Sequence, residues 1–589
     1  MVRHEEETIV GRAYDARLMK RLLVYLIPYR TALAGSATLL VLASGLEVIR
    51  PYLLKVAIDS YIVPARLQGL WGLALLYLGV LAAEGAVRYG LLWCTHWTGQ
   101  RIMTDVRLAL FRHLNRLSLR YFDAHPGGRI FTRVTSDVEN LKELFTSGLV
   151  SALGDLLTAC AIVAAMLYLD LKLSLIAFTI LPLLIGVVIL FQKKARGAYR
   201  LIRQKLSRLN AFLQESLNGM GVIQAFGREE AMATRFAGVN AEHREATLLA
   251  LLFYALFYPA VEVIAAIGLG LIIWVGGGQV VQEALTLGVL VAFLEYLQRF
   301  FTPIKDLSEK YYVMQSAMAS SERIFDLLDE SPEHDGNGHH PRSLQGAIEF
   351  REVWFAYRSG EPVLKGLSFT IQPGERVALV GATGAGKSTV VNLLTRLYEI
   401  DRGAILADGR DIRELDLTAL RRRIGLIPQD PFLFSASIAA NLHVGERVSP
   451  EAAQRALDLA GASPVIERLP AGLATRLSER GASLSMGERQ LIGLARALAY
   501  APDILILDEA TSSIDPATEA AFSRRLRDLT RGKTLLIIAH RLNSAAAADR
   551  ILVLHHGELV EEGIHQALLT KGGLYARLWR LQHDGYARR

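Results

Sequence analysis

Gly381, Ala382, Thr383, Gly384, Ala385, Gly386, Lys387 and Ser388 follow one another directly after the apolar run Val377, Ala378, Leu379 and Val380. The run reads as a buried strand, and a helix is expected from Thr389. Gly-x-x-x-x-Gly-Lys-Ser between strand and helix is a phosphate-binding loop. Its glycines let backbone N–H groups close on phosphate oxygens, Lys387 reaches the β/γ oxygens, and Ser388 can ligate Mg²⁺ at the helix N-terminus. Further on, Ile504, Leu505, Ile506 and Leu507 read as a second buried strand that ends in Asp508 and Glu509. Ligands of open α/β sheets gather at such C-terminal strand ends. There Asp508 would hold Mg²⁺, and Glu509 would polarise the water that attacks a γ-phosphate.

These residues lie in the second half of a chain whose first half is of another kind. Across 589 residues, 51% are hydrophobic and 21% charged, a balance that excludes a disordered chain and is too apolar for an ordinary soluble enzyme. Cys94 and Cys160 both sit in apolar stretches at no metal-ligand spacing, which excludes a disulfide framework and a cysteine zinc site. Six apolar segments, at 34–58, 70–94, 146–169, 173–195, 248–275 and 284–304, are each near the length that crosses a bilayer. Arginines and lysines crowd before the first, after the second and after the fourth. The loops at 59–69 and 170–172 hold only Arg66 and Lys172. The net charge of +7 therefore has a direction, with the N-terminus, both long loops and the C-terminal half in the cytosol. No cleavable signal peptide is expected, and residues 17–27 read as an amphipathic elbow on the membrane surface.

Helical apolar spacing continues through the long cytosolic loops, as at Val106, Leu110, Leu114 and Leu117, so the membrane helices should run on into water. Each loop holds one break: Tyr121, Phe122 and Asp123 before Pro126-Gly127-Gly128, and Gly219-Met220-Gly221. Residues 1–328 are thus expected to form a membrane domain, 329–345 a linker, and 346–589 an α/β domain of alternating strands and helices.

The chain as a whole resembles an ABC exporter half-transporter, a six-helix membrane domain fused to one nucleotide-binding domain of P-loop type. The resemblance implies roles in the family's order. Tyr357 stacks on adenine, Gln429 senses Mg²⁺ and couples to the membrane domain, and Glu479-Arg480-Gly481 resembles the exporters' cross-linking loop. Ser513-Ile514-Asp515 stands at the D-loop and His540 at the switch that contacts the γ-phosphate. The turns at Tyr121, Phe122 and Gly219 fall where coupling helices lie, the first expected to touch the partner's nucleotide domain. One motif departs from the pattern. The family signature L-S-G-G-Q is here Leu484, Ser485, Met486, Gly487 and Glu488. Met486 adds bulk, and Glu488 puts a negative charge near a polyanion.

Because the family's signature serves the partner's ATP, that departure implies a heterodimer with a second half-transporter. This chain would supply Tyr357, Lys387, Ser388, Gln429, Asp508, Glu509 and His540 to the competent site, with ATP and Mg²⁺. The implied function is ATP-driven export by alternating access from a bacterial inner membrane. A homodimer with two weakened sites, an ATP-gated channel and a regulatory subunit are the alternatives. Membrane lipids surround the protein, and a hydrophobic, lipid or peptide substrate, not a nucleic acid, is expected. A leader-cleaving peptide exporter is disfavoured, since no peptidase domain precedes the first span. Among the intramembrane ionisable residues Glu47, Arg50, Glu84, Arg88, Asp155, Glu262, Glu295 and Arg299, some should pair between helices. Glu262, and Glu295 with Tyr296, are the expected cavity-wall residues.

Overall fold

The structure, a computed structural model, describes residues 15–333, 338–358, 360–444, 448–508, 532–539 and 542–584. The chain divides into two compact units. One comprises Met1–Asn115 with Gly127–Glu330, and the other comprises Arg116–Pro126 with Ser331–Arg589.

The first unit is helical. Asp15 caps the helix Ala16–Val24, accepting from the Arg17 amide at 2.8 Å. The helix buries Met19 and Leu22 on one face and leaves Arg17, Lys20 and Arg21 on another, the pattern of the expected elbow. Among the described residues, five helical stretches are long and apolar enough to cross a membrane: Ile27–Ile62, Leu70–Leu114, Gly127–Leu169, Leu171–Asn218 and Glu229–Val281. The 45-residue helix Leu70–Leu114 measures about 68 Å at 1.5 Å per residue, against roughly 30 Å of hydrocarbon. These helices therefore extend well beyond a bilayer. The sixth expected span begins the helix Leu287–Asp329, where Glu295 and Arg299 interrupt a buried face of Phe293, Tyr296, Leu297 and Phe301.

The charges inside the apolar segments mostly pair. Glu84 is buried and meets Arg50 at 3.1 Å and Arg88 at 3.2 Å; Arg88 also reaches Glu47 at 2.8 Å, and Arg299 lies 3.7 Å from Glu47 and 3.5 Å from Glu295. Lys310 pairs with Asp155. Tyr296 is buried and donates to the Val48 carbonyl at 2.6 Å, so it packs between helices and does not line a cavity as expected. Glu262 is exposed on its helix.

Among the described residues, the second unit holds two sheets. In the smaller, β2 (Leu364–Ile371), β1 (Ile348–Phe355), β4 (Arg402–Ala407) and β5 (Arg410–Asp411) are adjacent in that order and antiparallel. In the larger, the order is β10 (Glu558–Gly563), β9 (Arg550–His555), β3 (Arg376–Gly381), β8 (Thr534–Ile538), β7 (Ile504–Asp508) and β6 (Ile424–Ile427). All of its pairings are parallel except β10 with β9. Strands β3, β7 and β8 are almost continuously apolar and buried, as a parallel sheet covered on both faces requires.

The boundaries differ from expectation at two places. The last long helix runs to Asp329, and the division falls after Glu330. More consequentially, Arg116–Pro126 belongs to the second unit. Its short helix Leu119–Ala124 places Leu119 against the core between the sheets, and Asp123 accepts a hydrogen bond from Tyr398. The Arg116 carbonyl accepts from the Glu333 amide at 2.6 Å, while Arg421 clasps the Glu333 carboxylate at 2.6 and 3.0 Å. The turn's apolar and polar anchors thus meet this chain's own second unit. The second break forms the short helix Met220–Ala225 after Gly219, at the end of Leu181–Asn218.

Candidate functional site

β3 ends at Gly381, and the chain turns through Ala382–Gly386 before the helix Lys387–Leu394 begins. Two backbone positions make that turn possible. Gly384 has φ +83° and Gly386 φ +100°, and a Cβ on Gly386 would lie 2.7 Å from Leu364 Cδ2. Lys387 is buried, and its ammonium donates to the carbonyls of Gly381 and Ala382 at 2.8 and 3.0 Å. The lysine thus folds over the concave side of the loop, where a phosphate would sit. Thr383, Gly384 and Ser388 are exposed, and Thr389 is buried behind them.

Register fixes the other side of the site. Asp508 pairs with Ile538 on β8, and Ile538 pairs with Leu379 on β3, two residues before Gly381. The Asp508 carboxylate therefore stands at the loop's end of the sheet, two strands away, or about 10 Å at the usual strand spacing. Glu509, Ser513, Ile514, Asp515 and His540 lie outside the described residues; by sequence Glu509 follows β7 directly and His540 follows β8 by two residues.

Tyr357 stands beside the phosphate loop. Its hydroxyl donates to Thr389 Oγ1 at 3.2 Å and accepts from Asn392 Nδ2 at 3.1 Å, so the loop's own helix holds the ring. Tyr357 remains 37% exposed, leaving room for a base to stack on its ring. Gln429, just past β6, is exposed, and its carbonyl accepts from the buried Gln490 side chain at 3.1 Å. Gln490 sits four residues after the altered signature's Met486, where the sequence alone gives it no role.

That signature starts the helix Met486–Ala499. Ser485 is its N-cap, with Oγ accepting from the Glu488 amide at 3.3 Å. The Glu488 carboxylate returns to the Ser485 amide at 2.9 Å and lies 3.0 Å from Ser485 Oγ. A carboxylate only accepts, so the one proton of Ser485 is given to Glu488. Arg468 holds the other carboxylate oxygen at 2.9 Å. The bond from the Ser485 backbone, with help from Arg468, holds the Glu488 carboxyl below its usual range. Met486 Sδ is contacted by Arg489 at 3.4 Å. The Ser-x-x-Glu spacing of a capping box was present in the sequence; there Glu488 stands only as a negative charge near a polyanion.

Ser388, Asp508 and the Gln429 amide supply hard oxygen donors. Mg²⁺ takes few protein ligands of this kind, beside substrate phosphates and water, so the residues fit it.

The match to families of known proteins covers both units. Residues 33–304 match the ABC transporter transmembrane region, and residues 364–512 match the ABC transporter domain. The chain is 39% identical over 586 residues to an uncharacterized ABC transporter ATP-binding protein of Bacillus subtilis (strain 168), covering 99% of this chain and 97% of that protein. It is 35% identical to an ATP-dependent lipid A-core flippase of Thiobacillus denitrificans, over 96% of this chain and 98% of the flippase. Among solved structures, a bacterial Atm1-family ABC exporter with ATP bound superposes with a TM-score of 0.77 at 28% identity, covering 94% of this chain and 98% of that one.

Proposed function

This chain belongs to the ABC transporter family and is a multi-pass, ATP-driven exporter, and from that premise we propose that it forms a heterodimer with one competent and one weakened ATP site. The observation that carries this reading is the closed capping box of Ser485 and Glu488. A signature serine that serves a partner's ATP must offer its hydroxyl proton and its helix-start amides to a γ-phosphate. Here the proton and the Ser485 amide both go to Glu488, and that carboxylate repels an incoming polyanion.

Among the described residues, this chain's own nucleotide site carries no comparable defect. ATP would lie with its base on Tyr357 and its phosphates in the loop from Gly381 to Thr389. Lys387 would leave the carbonyls of Gly381 and Ala382 for the β/γ oxygens. Ser388, Asp508 and Gln429 would hold Mg²⁺, which neutralises charge on the phosphates. Glu509 would orient the attacking water, and His540 would contact the γ-phosphate. Closure of the two nucleotide domains would drive alternating access through Tyr121, Phe122 and the turn at Gly219.

The charge asymmetry of the loops supports a bacterial inner membrane, with the N-terminus and nucleotide domain in the cytosol. Likeness to a lipid A-core flippase supports a hydrophobic or lipid substrate. The test is ATP hydrolysis by the chain purified alone and with its partner subunit. Low activity alone and high activity in the pair is expected; full activity of the chain by itself would refute the heterodimer.

A further inference from the structure

Tyr357 is braced on three sides. Asn392 and Thr389 hold its hydroxyl. Phe355 meets its ring edge-on at 4.8 Å, and Tyr398 meets it at 5.0 Å with planes 87° apart. Tyr398 also packs against Phe355 at 5.7 Å and is 6% exposed. Its hydroxyl, buried at the end of this cluster, donates to the carboxylate of Asp123. Burial, then that bond, push the Tyr398 hydroxyl well above the ordinary phenol range, so it stays a donor at neutral pH.

Asp123 lies in the helix Leu119–Ala124, within the segment Arg116–Pro126. Covalently, that segment connects the helix Leu70–Leu114 with the stretch Gly127–Leu169. A continuous run of contacts thus leads from the exposed face of Tyr357, through one ring edge and one hydrogen bond, to the turn between two membrane helices. The phosphate loop is not part of this run except through Thr389.

We propose that Tyr398 is a positioning residue that reports adenine binding at Tyr357 to the segment Arg116–Pro126, so that the base, and not the phosphates alone, orders this turn. The proposal rests on reading Tyr357 as the adenine platform. A base stacked on Tyr357 fixes the orientation of its ring, and close edge-to-face packing passes that restraint to Tyr398. A fixed Tyr398 holds its proton on Asp123, which removes motion from a short helix that is too short to be stable alone.

The test is hydrogen exchange at residues 116–126 in the full-length protein in lipid nanodiscs, with saturating ATP or with inorganic tripolyphosphate. ATP should slow exchange there about fivefold, the lower end of common site-to-site coupling, and tripolyphosphate should leave it near the apo rate. Tyr398→Phe and Asp123→Ala should each abolish the ATP effect, and the double variant should lose no more than either alone. Asp123→Asn, which keeps an acceptor oxygen, should recover much of it. Unchanged thermal midpoints in these variants separate the effect from misfolding. Equal protection by tripolyphosphate, or protection that survives Tyr398→Phe, would overturn the proposal. If Tyr357→Ala binds ATP as tightly as the parent, the adenine platform itself is wrong, and the pathway falls with it.

Discussion

Ser485 has one proton and Glu488 one carboxylate, and the two satisfy each other where the family's signature would face a partner's phosphate. The lowered Glu488 carboxyl makes this a pH-dependent contact. A depressed folded value means that its stabilisation is present above the ordinary glutamate range, near 4.3, and is lost as pH falls through the lower folded value. The stability gap between the parent and Glu488→Ala, measured by thermal unfolding, should therefore be flat around neutrality and close below about pH 4. A gap unchanged at acid pH would mean that the carboxylate contributes nothing. Glu509→Gln should abolish most turnover, a loss of about 10²–10⁴-fold, while ATP still binds; hydrolysis at the parent rate would place the chemistry elsewhere. At this scale the phosphate loop was fully legible, because its spacing has one physical use. Tyr398 was not, since a tyrosine after a helix has no motif and shows its role only when Asp123 is folded against it.

Between elements, glycine and charge set the tolerances. Gly386 combines φ +100° with a Cβ position 2.7 Å from Leu364. Gly386→Ala should thus cost at least the 1–2 kcal/mol of a left-handed residue and lower ATP affinity, read by nucleotide titration; parent-like affinity would show that the loop yields. Asp59 behaves similarly at the start of Leu287–Asp329. It accepts from Thr286 Oγ1 at 2.7 Å and the Gly288 amide at 2.8 Å, and a Gly288 Cβ would sit 2.5 Å from the Lys55 carbonyl. Glu84 lies between Arg50 and Arg88. Removing a buried partner commonly costs on the order of 3 kcal/mol, so Glu84→Gln should lower the unfolding temperature clearly and exposed Glu262→Gln hardly at all. Equal effects would deny the network a structural role. Apolar runs announced the spans, and the arginine–glutamate spacing hinted at pairing. Which charge meets which depends on helix rotation, and one sequence does not specify that.

For the whole molecule, one chain carries both a membrane unit and an ATP-binding unit of an ATP-driven exporter, and loop charge, span length and strand–loop–helix order announced both. The assignment of Arg116–Pro126 to the second unit ran against the expected boundary, because a turn between membrane helices carries no sign of the unit it will pack in. The central claim is that the competent ATP site takes its phosphate loop from this chain and its signature from a different one. In a homodimer, Lys387 and Ser485 serve the same two sites, and losing either should harm hydrolysis alike. In the heterodimer they serve different sites. The direct measurement is the ATP hydrolysis rate of the assembled transporter carrying Lys387→Ala or Ser485→Ala. Near-complete loss is expected for the lysine variant and a small loss for the serine variant, whose hydroxyl is already committed to Glu488. Equal losses from the two substitutions would contradict it.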